Sequence, residues 1–157
     1  MSKTATYENL AKQLRSLMQA ERDMICNMAN FAATLYEELD DVSWVGFYRV
    51  VDGALLLGPF QGKTACMRIQ IGRGVCGTAA SRKRTIVVPD VNQFQGHIAC
   101  DALSRSEIVI PLLDVNRNLQ GVLDLDSYSP DRFDQDDRVG LERLVDIFLL
   151  STKMIAE

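Results

Sequence analysis

The sequence is short of what many functional classes require. It has one histidine, one tryptophan and four prolines in 157 residues, and no apolar run long enough to span a bilayer. Its start, Met1 to Lys12, is polar and lacks the apolar core of a signal peptide. Positive charge is also missing. A formal net charge of −4 gives no electrostatic pull toward nucleic acid or an anionic membrane. The densest basic run, Arg82-Lys83-Arg84, has the character of a solvated loop. Four cysteines are present, but no Cys-x-x-Cys, and Cys66, Cys76 and Cys100 stand apart by nine and then twenty-three residues. Those gaps match no zinc knuckle or ribbon. The expected setting is the cytoplasm, where thiols stay reduced and a cysteine is reactive, metal-binding or simply buried rather than stapled.

What is present describes one domain, 1–157, with globular composition: 47% hydrophobic and 24% charged. Leu10, Leu14 and Leu17 recur at helical spacing, as do Ile25, Met28, Phe31, Ala32 and Leu35 in a second helix ending near Leu39. Cys26, beside Ile25, reads as a small buried hydrophobe. Trp44 to Val50 alternates as a strand, turns at Asp52-Gly53 and returns through Ala54 to Leu57. Its period of two sends Trp44, Gly46 and Tyr48 to one face and Val45 with Phe47 to the other. Gly58 to Gly62 reads as a loop, Met67 to Ile71 as a short strand and Gly72 to about Lys83 as a brief helix. Thr85 to Val88 is a further strand, followed by an irregular stretch from Asp90 to about Arg105, a length that usually serves function. Ser106 to Leu113 and Leu119 to Asp126 form a second hairpin around Asn116-Arg117-Asn118. A helix over Asp134 to Ile155 closes the chain, its stripe running Leu141, Leu144, Val145, Phe148 and Leu149. Adjacent hairpins imply an antiparallel sheet with helices gathered on one side, an α+β fold.

The chemistry concentrates between Lys63 and Ser127, which hold three cysteines, His97 and the acids Glu107, Asp124 and Asp126. Gly72-x-Gly74-x-x-Gly77 matches a dinucleotide fingerprint, but the chain offers no further βαβ unit to support one. A glycine-rich turn that sets Cys76 near a positive helix terminus fits better. Cys100, on the irregular stretch beside His97, is a candidate redox nucleophile, because a mobile sulfenic acid can travel to a resolving thiol. Cys76 fits an inert buried thiol better, and Cys66 fits either role. Glu107, Asp124 and Asp126 share one strand face, against Leu123 and Leu125 on the other. That face is either solvated or the floor of a pocket for an ammonium group, where mutual repulsion keeps a proton available.

Read together, Ser43-Trp44-Val45-Gly46-Phe47-Tyr48, Gly58-Pro59-Phe60-Gln61-Gly62, Ala65-Cys66, Gly72 to Gly77, Gly96-His97-Ile98-Ala99-Cys100-Asp101, Ser106-Glu107-Ile108-Val109 and Gly121 to Ser127 resemble the free methionine-(R)-sulfoxide reductases, which are single GAF domains. The resemblance runs from about Met18 to Leu149. It implies an oxidoreductase of the oxidative-stress response, working on free methionine sulfoxide. Cys100 attacks the sulfoxide sulfur, Cys66 resolves the sulfenic acid as a disulfide, and a thioredoxin-type dithiol reduces it. Cys76 is an auxiliary resolver on this reading. Glu107, Asp124 and Asp126 hold the substrate amine and protonate the departing oxygen, while Trp44 and Tyr48 enclose the S-methyl end. Backbone N–H groups in the Cys66 to Cys100 region receive the carboxylate. No cofactor, metal, nucleic acid or membrane is implied, and the terminal helices suit a homodimer. The alternative is a GAF sensor module that binds a small ligand without chemistry.

Overall fold

Two opposed faces of one sheet organise the molecule, and strand alternation decides which residues go to which. In the computed structural model, which describes residues 1–154, six strands pair antiparallel in the order β3-β2-β1-β6-β5-β4. They are β1 Trp44–Val51, β2 Ala54–Gln61, β3 Arg68–Gln70, β4 Ile86–Val88, β5 Ser106–Leu113 and β6 Leu119–Ser127. The long helices α1 Lys3–Leu17, α2 Met24–Glu38 and α4 Gln135–Ser151 share one core with Val45, Phe47, Ile108, Ile110, Leu123 and Leu125. The short helix α3 Gly74–Arg82 lies on the other face, against Trp44, Tyr48, Val109 and Val122. Helices therefore gather on one side as expected, with α3 the exception. No helix among the described residues is long and apolar enough to cross a membrane.

Local chemistry sets the element ends. Ser2 and Asp23 cap α1 and α2 by accepting from Ala5 N and Cys26 N. Asp134 and Asp137 form a reciprocal capping box at α4. At the first hairpin both Asp52 and Gly53 adopt positive φ, the requirement of a tight two-residue connection. In the second, the Asp114 carboxylate accepts from Asn116 N and Asn118 N, which bends the chain.

Several expectations change. Gly58 to Gln61 is strand, since β2 extends to Gln61. Gly58 and Pro59 together oppose Phe47 between the pairs Gly46↔Phe60 and Tyr48↔Leu57. This bulge accommodates a proline that lacks an N–H, so turn-type residues sit inside a strand. The final helix stops at Ser151, where Thr152 is extended and its hydroxyl accepts from Asn27 Nδ2 at 2.9 Å. Ile155 lies outside the described residues. On α2 the buried stripe is Met24, Asn27, Met28, Phe31, Ala32 and Leu35, leaving Ile25 and Cys26 on the exposed side. Leu17 is likewise exposed, because Leu14 and Met18 fill the core at that end of α1. Cys26 is thus no core residue.

Candidate active site

The register of β5 on β6 brings the acids together. Glu107 pairs with Asp126 and Val109 with Asp124, so Leu123 and Leu125 enter the helical core while the carboxylates face α3. This face is not solvated: Glu107 and Asp124 are each 6% exposed, although Asp126 is only partly covered. Burial pushes the Glu107 pKa well above the usual carboxylate range, and Asp124 and Asp126 add to the shift. Asp126 is also raised, first by desolvation and then by Asp124. Asp124 is pushed to about 6 by desolvation, against lowering hydrogen bonds from Glu107 and Cys76. Its Oδ1 is buried without a hydrogen-bond partner. An acidic floor of this kind retains protons and favours any cation that enters it.

Cys76 stands in the first turn of α3, as the glycine pattern suggested, but the helix terminus does not activate it. The thiol is buried 3.9 Å from Glu107 Oε1, and its pKa is raised by desolvation and then by Asp124 and Glu107. The glycines before it have a packing cause. A Cβ at Gly77 would run into the Gln70 carbonyl, and Gly74 has φ +61° with Ile98 directly above it. No phosphate is needed to explain them. His97 directs Nε2 at Glu107 Oε2, 3.9 Å away, and burial pulls its pKa below the ordinary histidine range.

Cys66 and Cys100 are joined as a disulfide, with Cα atoms 5.5 Å apart. Cys100 lines a cavity of about 50 Å³ with Trp44, Tyr48, Cys76, His97 and the three acids. Every candidate catalytic or substrate-binding residue of the sequence analysis thus lies at this cavity or, for Cys66, is bonded to a residue that does. The aromatic residues have a second task that alternation alone did not reveal. Trp44 Nε1 donates to Lys63 O at 2.9 Å and the Tyr48 hydroxyl donates to Cys66 O at 3.0 Å. Between them they tie down the segment that carries Cys66. The indole also stacks on Phe60, 5.3 Å between ring centroids, and a Cβ on Gly46 would collide with it.

Sequence reading missed the groups that fix the Cys100 segment. Tyr128 donates its hydroxyl to Asp101 Oδ2 at 2.9 Å, and Lys63 Nζ lies 5.6 Å from the centre of the Tyr128 ring. At the base of the loop Val91 N donates to Arg105 O, and Arg105 approaches Asp90 at 3.8 Å. The only available signal was Asp101 beside Cys100. Nothing in the sequence links it to Tyr128, 27 residues away.

Fold and site together define a GAF domain: the GAF domain family model matches residues 3–148. The chain is 50% identical to the free methionine-R-sulfoxide reductase of Escherichia coli, over 92% of this chain and 87% of that one. The solved free methionine-R-sulfoxide reductase of Neisseria meningitidis, in complex with its substrate, is 44% identical with a TM-score of 0.92, covering 96% of this chain and 90% of that chain. A structure from Burkholderia vietnamiensis, described as a GAF sensor protein, is 51% identical with a TM-score of 0.94, covering 97% and 96%. The chain therefore belongs to the GAF domain family and, within it, to the free methionine-R-sulfoxide reductases.

Proposed function

We propose that this chain, acting as one domain over 1–157, reduces free L-methionine (R)-sulfoxide to methionine. One observation carries the reading: a Cys66–Cys100 disulfide closes beside a cavity floored by buried carboxylates. A ligand sensor needs the cavity but neither the disulfide nor the acids.

Cys100 Sγ attacks the sulfoxide sulfur, and the oxygen leaves on Cys100 as a sulfenic acid while methionine departs. Protonated members of the Glu107, Asp124 and Asp126 cluster supply a proton to that oxygen, and an ionised member pairs with the substrate ammonium. The raised pKa values of these acids support both tasks near neutral pH. Trp44 and Tyr48 receive the S-methyl end, a soft sulfur against aromatic rings. Backbone N–H groups of the Cys66 to Cys100 region take the carboxylate. Cys66 then attacks the sulfenic sulfur, water leaves, and the disulfide forms. Two electrons from a thioredoxin-type dithiol restore both thiols. Cys66 takes the resolving step, supported by its bond to Cys100, and Cys76, which lines the same cavity, is an auxiliary resolver.

A reducing cytoplasm suits this cycle, since the disulfide must be reopened at each turnover. A homodimer is the expected assembly, supported by the exposed Leu17, Ile25, Val139 and Leu150 on the long helices. The test is methionine release from each separated epimer with a thioredoxin recycling system. Release from the (R) epimer, abolished by Cys100→Ser, is expected. No release from either epimer contradicts the reading and leaves a ligand sensor.

A further inference from the structure

We propose that Cys76, Glu107 and Asp124 form a binding site for a soft divalent cation of the zinc class, which competes with the ammonium group of the substrate. One donor atom from each residue lies within 4.8 Å of the others, and all three side chains are buried. They sit on α3, β5 and β6, so the backbone holds them in place without a ligand. Asp124 Oδ1, buried and without a partner from the chain, is the independent sign that this cluster suits a cation. A thiolate and two carboxylates make three donors that zinc accepts, with solvent completing a tetrahedron.

Cysteine spacing gave no hint of this, because the ligands come from three elements and include only one cysteine. Softness separates the site from an ordinary acidic cluster. Carboxylates alone suit magnesium or calcium, whereas a thiolate selects zinc or cobalt. Zinc binds the thiolate and carboxylate forms of these side chains, so affinity increases with pH. The competition rests on the reading of this floor as the ammonium subsite; the metal site itself does not.

The experiment uses the full chain carrying Cys26→Ser, with the Cys66–Cys100 disulfide intact so that Cys76 is the one free thiol. Cobalt(II) is titrated in, and thiolate-to-cobalt charge-transfer absorption is followed in the near ultraviolet. One cobalt per chain, displaced by zinc and by millimolar methionine but not by magnesium, is expected. Cys76→Ser should remove the absorption and weaken zinc binding by at least about tenfold. Asp124→Asn should weaken it comparably while keeping the absorption. Absence of charge-transfer absorption at saturating cobalt overturns the site even if Cys76→Ser cannot be folded, and so does absorption that persists in that variant. A band unaffected by methionine overturns the competition. Failure of the metal-free reductase assay contradicts the proposed activity and leaves the cobalt absorption unchanged.

Discussion

Two buried aspartates show how differently this fold treats the same side chain. Asp137, in the first turn of α4, is fully buried at the α1–α4 seam. Its carboxylate accepts from Lys3 Nζ at 2.6 Å, Tyr7 Oη at 2.8 Å, Asp134 N at 2.9 Å and Arg132 Nη1 at 3.2 Å. Asp124, on the opposite face of the sheet, has acids and a thiol for neighbours and one oxygen without a partner. The first arrangement is complete and needs nothing from outside. The second leaves a buried acceptor that the chain itself does not satisfy. On the proposed function that contrast separates a structural carboxylate from a ligand-binding one, and burial alone would not distinguish them.

The comparison breaks most visibly under paired Asp→Asn substitutions. Asp137→Asn leaves Lys3 and Arg132 facing a neutral amide and should cost about 3–5 kcal/mol, measured by urea unfolding. It should leave the chemistry of the folded fraction intact. Asp124→Asn should slow the first turnover roughly 100-fold, because a proton source and an ammonium partner are both lost. A stopped-flow assay of methionine release reads this directly. If the Asp124 substitution destabilised the fold as much as the Asp137 one, the contrast between the two sites would collapse.

A pH series sharpens the same point. The folded pKa of Asp124 is raised from the ordinary 3.8 to about 6, so the native state holds a proton that the unfolded chain releases earlier. Its contribution to stability is therefore present in acid and is lost as pH rises from about 4 to about 6. Asp124→Asn lacks this loss. The variant should gain on the order of 1–3 kcal/mol over the wild type at pH 7, shrinking toward zero near pH 4. The smallest effect falls on the aromatic wall. Trp44→Phe removes the indole donor to Lys63 O, should cost about 1 kcal/mol, and should slow disulfide closure a few-fold by loosening the Cys66 segment. Thiol counting against time after substrate addition measures it.

Much of this was legible in the sequence because alternation leaves little freedom. Leu123 and Leu125 had to enter a core, which sent Asp124 and Asp126 to the other face, and the partner strand added Glu107. Clear stop signals made the hairpins readable, as at Asp52-Gly53. The extent of β2 was not readable, because Gly58-Pro59 looks like a turn until β1 supplies the strand that the bulge matches. Nor was the exposure of Cys26, since a helix stripe can rotate by one residue without changing its apolar count. The ties from Trp44 to Lys63 and from Tyr128 to Asp101 are long-range hydrogen bonds with no local pattern. They hold the two cysteine segments in reach of each other, which makes them part of the site.

The central claim is that Cys100 does the chemistry and Cys66 completes it. Single-turnover methionine release from the (R)-sulfoxide, without reductant, tests both in one measurement when combined with a dimedone-type sulfenic probe. Wild type should release one methionine per chain and end with Cys66 and Cys100 linked. Cys66→Ser should release the same amount and stall with the probe on Cys100, while Cys100→Ser releases none. A full equivalent of methionine from Cys100→Ser would contradict the account.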